Sequence, residues 1–157
     1  MTRTNVMRLL EVAGIPFVIK EYAVDEEDLS GEHTAAMIGV PADQVFKTLV
    51  LRGERTGIFV CCIPCHEEID LRKAARAAGD KKAEMLPMKE LLPTTGYVRG
   101  GCSPIGMKRK YPLFIDEMYI LHDTILVSAG VRGAMVGLRP EALIAYTGAK
   151  EVDIVLS

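Results

Sequence analysis

The sequence predicts a mixed α+β fold, a curled, barrel-like sheet of about seven strands flanked by helices, and three observations carry that expectation. Short runs rich in Val, Ile, Leu and aromatic residues alternate along the chain with stretches whose apolar residues recur at helical spacing. The stretches at 45–63 and 124–138 each read as two strands joined by a turn too short for a helical crossover, which favours hairpins over a doubly wound parallel sheet. No repeat, low-complexity tract or linker-like shift in composition divides the 157 residues, so a single domain over 1–157 is expected. A chain of this length buries roughly 70% of its unfolded surface, enough for one core.

In order, "TNVMRLLEVAG" places Val6, Leu9, Leu10 and Ala13 at helical spacing, with Thr4 as N-cap and Gly14 as the stop. "IPFVIKEYAV" reads as a strand, and "GEHTAAMIGV" as a short helix ended by Gly39 and the Pro41 that follows. "DQVFKTLVLRGERTGIFVCCI" reads as two central strands about the polar turn "RGERTG". "DLRKAARAAG" is a helix with Asp70 at its start, "KKAEML" a short strand, and "PMKELLPTTG" one or two helical turns. Strand character returns in "LFIDEMYIL", "TILVSAG" and "AMVGL"; "RPEALIAYTG" is a proline-initiated helix, and "EVDIVL" closes the chain as a strand.

Several function classes lack their signals. The longest apolar run, Ile58 to Pro64, falls far short of the ~20 residues a membrane span needs. The N-terminal stretch has arginines but no apolar segment of secretory length, so a cytoplasmic protein is expected. "FVCCIPCHEEI" does contain Cys62, Cys65 and His66 at the C-x-x-C-H spacing of haem attachment. Its β-branched and aromatic context instead reads as a buried strand in which Cys61 and Cys62 point to opposite faces as ordinary thiols. No second C-x-x-C half-site accompanies it, and no P-loop or G-x-G-x-x-G is present, so neither a metal nor a nucleotide cofactor is expected.

Three places remain where chemistry is legible. In "VFKTLVLR", Lys47 sits among apolar neighbours on both faces of a strand, so its ammonium must reach water at a sheet edge, pair with a carboxylate, or meet an anionic ligand. "TGYVRGGCSPIGMKRK" holds four glycines within sixteen residues. Gly100 and Gly101 suit either a tight turn or a close main-chain approach to an oxyanion, and Lys108, Arg109 and Lys110 make a basic run in a chain of net charge −2. That acidity argues against broad nucleic-acid binding but leaves room for one focused patch on an RNA backbone. In "LVSAGVRGAMVGLRPEAL", Ser128 ends a strand and Arg132 stands between glycines where it can pair with an acid or reach a phosphate. No G-x-S-x-G and no persuasive Asp/His set surrounds Ser128, so a hydrolase triad is not expected.

"QVFKTLVL", "TGYVRGGCSPIGMKRK" and "ILVSAGVRGAMVGLRPEAL", in this order and spacing, resemble the YbaK/EbsC family of bacterial aminoacyl-tRNA deacylases, which is related to the editing domain inserted in prolyl-tRNA synthetases. The resemblance extends over nearly the whole chain. It implies hydrolytic release of a wrongly attached amino acid from tRNA, chiefly cysteine from tRNA(Pro), with the substrate's own thiol attacking its ester. It implies no metal and no cofactor, and a prolyl-tRNA synthetase as partner. By the same resemblance Lys47 orients the terminal adenosine, Gly100 and Gly101 line the amino-acid pocket as main-chain donors, and Ser128 contacts the substrate. Tyr22, Thr48, Ser103, Pro104 and Arg132 complete the implied substrate-binding set, and Lys108 to Lys110 meet the tRNA backbone.

Two departures from the family pattern bear on specificity. Leu29-Ser30-Gly31-Glu32 lacks the aromatic that members commonly carry before the second helix, and Ser128-Ala129-Gly130-Val131-Arg132-Gly133 replaces the common S-G-G-K-R-G. A pocket discriminates one methylene by only about 1–3 kcal/mol, so alanine or another small amino acid is the alternative substrate. A non-catalytic module that binds the tRNA end is the alternative outside catalysis.

Overall fold

The computed structural model describes residues 2–157. Helix α1 (Asn5–Val12) starts where the Thr4 hydroxyl accepts the Met7 N–H, and it buries Val6, Met7 and Leu10. Ala13 caps the helix and is exposed and Leu9 is half-buried, so the buried stripe takes in Met7 in place of Ala13. Strand β1 (Val18–Glu21) is followed by α2 (Gly31–Ile38), whose N-cap Ser30 accepts the His33 N–H. Next come β2 (Phe46–Gly53), β3 (Gly57–Pro64), α3 (Leu71–Ala77), β4 (Ala83–Met85) and α4 (Met88–Thr95). Asp70 caps α3 by accepting the N–H groups of Arg72 and Lys73, as its position predicts. The chain closes with β5 (Leu113–Asp116), β6 (Ile125–Ser128), β7 (Ala134–Leu138), α5 (Pro140–Thr147, proline at its first turn) and β8 (Lys150–Val152).

The mixed α+β class is as expected, but the barrel-like sheet of about seven strands is not. Eight strands form two sheets, one in the order β4-β2-β3-β5-β8 and one in the order β1-β7-β6, and no closed barrel occurs among the described residues. The two sheets meet at an isolated parallel bridge between Val45 and Leu126. Closure fails at short edges: β4 and β8 have three residues each, too few to continue the ladder round. Both hairpins, β2–β3 and β6–β7, are antiparallel as the short turns require, while β3–β5 and β5–β8 are parallel.

Two other strands stop earlier than their apolar patterns suggest, and one buried carboxylate accounts for both. "LFIDEMYIL" is a strand only to Asp116, whose Oδ2 accepts the Met118 N–H at 3.0 Å and starts a 3-10 turn over Glu117–Leu121. Its Oδ1 accepts the Ile154 N–H at 3.1 Å, which turns "EVDIVL" away from the sheet after Val152.

The larger sheet is covered on both faces. On one, Val50, Val60, Cys62 and Ile115 pack with α1 and with Val127 and Val136 of the smaller sheet. On the other, Leu51, Phe59, Cys61 and Ile63 pack under α3, and the Phe59 and Phe114 rings meet edge to face at 5.9 Å. Cys61 and Cys62 thus enter different cores, as strand alternation predicts. No helix is long and apolar enough to cross a membrane among the described residues.

Candidate active site

Strand β4 pairs with β2 only at Leu51–Gly53, so the other end of β2 keeps an open edge. Along that edge lies a cleft of about 440 Å³, roofed by the loop into α2 and walled by the 99–102 segment, the end of β6 and the start of α4. Tyr22, Lys47, Thr48, Gly100 and Ser128 all line it, so four segments far apart in sequence converge here.

Lys47 is half-buried, and its ammonium forms no hydrogen bond or ion pair among the described residues. Its neighbour Thr48 shares a hydrogen bond of 3.6 Å with the Cys62 thiol beneath. The Tyr22 N–H donates to the Gly133 carbonyl at 3.0 Å, which ties the end of β1 to the β6–β7 turn. Ser128, 8% exposed at the end of β6, lines the cleft, and its hydroxyl accepts the Gly130 N–H at 3.1 Å in a local turn.

Gly100 has φ +83°, and a Cβ there would lie 3.3 Å from Arg132 Nε and 3.6 Å from Leu29 Cβ, so both backbone conformation and space call for glycine. Gly101 behaves differently from expectation: its N–H is spent on the Val98 carbonyl at 2.9 Å, and it does not line the cleft. The glycine pair therefore presents one free main-chain donor at most, from Gly100. Arg132 also stands outside the lining. Its Nε donates to the Arg99 carbonyl at 2.7 Å and its Nη1 to Glu26 at 2.9 Å, so it clasps the loop before α2 to the 99–101 turn.

Other predicted residues lie elsewhere. Ser103 is fully buried and accepts the Ile105 N–H at 3.3 Å, holding the turn that Pro104 continues into a second groove. Lys108 packs over Gly96 and its Nζ donates to the Pro93 carbonyl at 3.4 Å, closing the end of α4. Arg109 and Lys110 line the second groove with Pro104.

The cleft also contains residues that pattern reading passed over. Met85 and Met88 stand 43% and 58% exposed at its mouth, a placement that follows from the packing of β4 against β2 and leaves no local signal. Asp28 did leave one, the D-x-S turn before a helix: its carboxylate accepts the Ser30 N–H at 3.0 Å, and hydrogen bonds from Ser30 hold it below the usual carboxylate range. Cys102 lines the cleft with its thiol pushed up to about 12 by burial, which keeps it protonated at neutral pH. No histidine lines the cleft among the described residues, so Ser128 and Cys102 have no imidazole base beside them there.

Comparison with known proteins agrees with the fold that carries this cleft. Residues 26–146 match the model of the aminoacyl-tRNA editing domain. Over 152 residues the chain is 45% identical to the EbsC protein of Enterococcus faecalis, provisionally named a Cys-tRNA(Pro)/Cys-tRNA(Cys) deacylase, covering 97% of this chain and 93% of that one. YwhH of Bacillus subtilis, an uncharacterized protein, is 29% identical over 119 residues, 76% of this chain and 75% of its own. The crystal structure of a provisionally named trans-editing enzyme for prolyl-tRNA synthetase superposes with a TM-score of 0.83 at 26% identity, covering 97% and 95% of the two chains. A hypothetical protein, APE2540, shares the fold at a TM-score of 0.87 and 21% identity, over 96% and 99% of the two chains. Family model and near-full-length relatives agree, and the chain belongs to the aminoacyl-tRNA editing domain family.

Proposed function

We propose that the chain is a trans-editing deacylase that removes cysteine from Cys-tRNA(Pro), with residues 1–157 acting as one editing domain in the cytoplasm beside a prolyl-tRNA synthetase. The observation that carries this reading is Lys47: an ammonium with no hydrogen-bond or ion-pair partner among the described residues, half-buried in a cleft where no histidine stands beside Ser128 or Cys102. An unpaired cation in such a place is best satisfied by an anionic ligand, and the phosphodiester on the 5′ side of a tRNA's terminal adenosine supplies one.

The substrate brings what the cleft lacks. Its ester on the terminal ribose is already activated, and a cysteinyl group carries a thiol within reach of its own carbonyl. Sulfur attacks that carbon, the carbon–oxygen bond to ribose breaks, and the thiol proton ends on the ribose oxygen, leaving free tRNA and a cyclic thiolactone. Holding the cysteinyl group in the attacking conformer is then the protein's main contribution. The Gly100 N–H and the Ser128 hydroxyl stand at the cleft wall to meet the carbonyl oxygen as it gains charge, Thr48 and Tyr22 shape the pocket, and Lys47 fixes the adenosine end. Arg132 and Ser103 serve the same site indirectly, by holding its loops.

The protein incubated with Cys-tRNA(Pro), Ser-tRNA(Pro) and Ala-tRNA(Pro) tests this. Lys47-dependent loss of cysteine alone is expected. Equal loss of serine or alanine would overturn the thiol-assisted route in favour of attack by water, and no loss of any would leave a tRNA-end-binding module.

A further inference from the structure

Beside the cleft lies a second groove of about 300 Å³, between the 104–111 segment and the end of α5. Tyr111 and Tyr146 line it from these two elements, Arg109 and Lys110 line it as exposed cations, and Val60 and Leu113 form its buried floor. No carboxylate lines it, and neither Arg109 nor Lys110 forms an ion pair or side-chain hydrogen bond among the described residues. In a chain of net charge −2, this is a local concentration of unpaired positive charge beside aromatic rings.

The groove and the cleft are neighbours on one face of the larger sheet. Val50 lines the cleft and Val60 the groove, and the two are direct partners across β2 and β3. Such partners place their Cβ atoms about 5 Å apart on the same face. Above them, the segment that walls the cleft at Cys102 reaches the groove at Pro104, two residues on, a span of at most ~8 Å between Cα atoms. The Tyr97 hydroxyl donates to the Ile105 carbonyl and holds this dividing ridge in place.

Cations that follow a backbone, together with an aromatic face open to stacking, are the pairing that binds single-stranded nucleic acid. We propose that this groove binds the unpaired RNA strand leading to the aminoacylated terminus, with Arg109 and Lys110 on its phosphodiesters and the 39%-exposed Tyr146 ring stacked on a base. The assignment rests on the deacylase reading for the identity of the strand. It divides the basic run, since Lys108 is spent on the end of α4, and it adds a residue on α5.

Fluorescence anisotropy with a labelled single-stranded RNA of about seven nucleotides ending in CCA tests it, because binding is read without turnover. Tyr146→Ala should weaken this RNA at least about fivefold, and Tyr146→Phe, which keeps the stacking face, should restore it. The double variant Arg109→Ala/Lys110→Ala should lower the slope of log affinity against log salt by about 1.4, the contribution of two phosphate contacts on a single strand. Unchanged affinity in Tyr146→Ala and in the double variant, with unchanged melting temperature, would overturn the proposal. Weakened RNA binding by these variants alongside a wild type inactive on Cys-tRNA(Pro) would remove the deacylase reading and leave the groove standing.

Discussion

The two ends of strand β2 are built for opposite purposes. At Leu51–Gly53 the strand is paired on both sides, by β3 and by β4, and the turn that follows is locked by Asp80. The Asp80 Oδ2 accepts the N–H of Arg55 at 2.8 Å and of Thr56 at 2.9 Å, and the Thr56 hydroxyl donates to it at 3.0 Å. At Lys47–Leu49 the β4 side is open, and the one ammonium there has no partner among the described residues. A single strand thus spends its hydrogen-bonding capacity on rigidity at one end and withholds it for a ligand at the other.

Substitutions at the two ends should separate accordingly. Lys47→Ala should lower turnover on Cys-tRNA(Pro) by about 100-fold or more, by analogy with the loss of one preorganised electrostatic group, while chemical denaturation moves by less than about 0.5 kcal/mol. A parallel loss of stability would break the contrast. Gly53→Ala should do the reverse: its Cβ would collide with Thr56 Oγ1 and lie 2.5 Å from Asp80 Oδ2, forcing the lock apart. The expected cost is about 1–3 kcal/mol in denaturant titrations, with turnover per folded molecule unchanged.

Asp80 sharpens the comparison through pH. Backbone hydrogen bonds from Thr56, then Arg55, hold its carboxyl well below the usual carboxylate range. A depressed folded pKa contributes stability that is present above the unfolded value, near 3.9, and is lost as pH falls toward the folded one. Melting temperature should therefore drop between about pH 4 and pH 2, and Asp80→Asn should be less stable at neutral pH with a flatter acid limb. The smallest effect belongs to Cys102→Ala. A thiol raised to about 12 by burial supplies no thiolate, so turnover should stay within about twofold of wild type.

Much of this was legible from residue order. Thr4, Ser30 and Asp70 mark helix starts because a capping side chain acts within three residues, and Cys61 and Cys62 part to opposite faces because strand alternation is local. Lys47 stood out because an ammonium among apolar strand residues must find an outlet, whatever the fold around it. The family likeness singled out Gly100 and Ser128, which the structure places at the cleft. Other features depend on partners distant in sequence. The buried Asp116 ends one strand and deflects another 38 residues away, and the three-residue edges β4 and β8 keep the sheet from closing. Gly101 loses its donor to a turn, Arg132 becomes a clasp between loops, and Tyr146 joins Arg109 at a groove, because each outcome is set by what the folded chain brings alongside. Local chemistry is written in neighbouring residues, whereas the sharing of hydrogen bonds and space among remote segments exists only once the chain has folded.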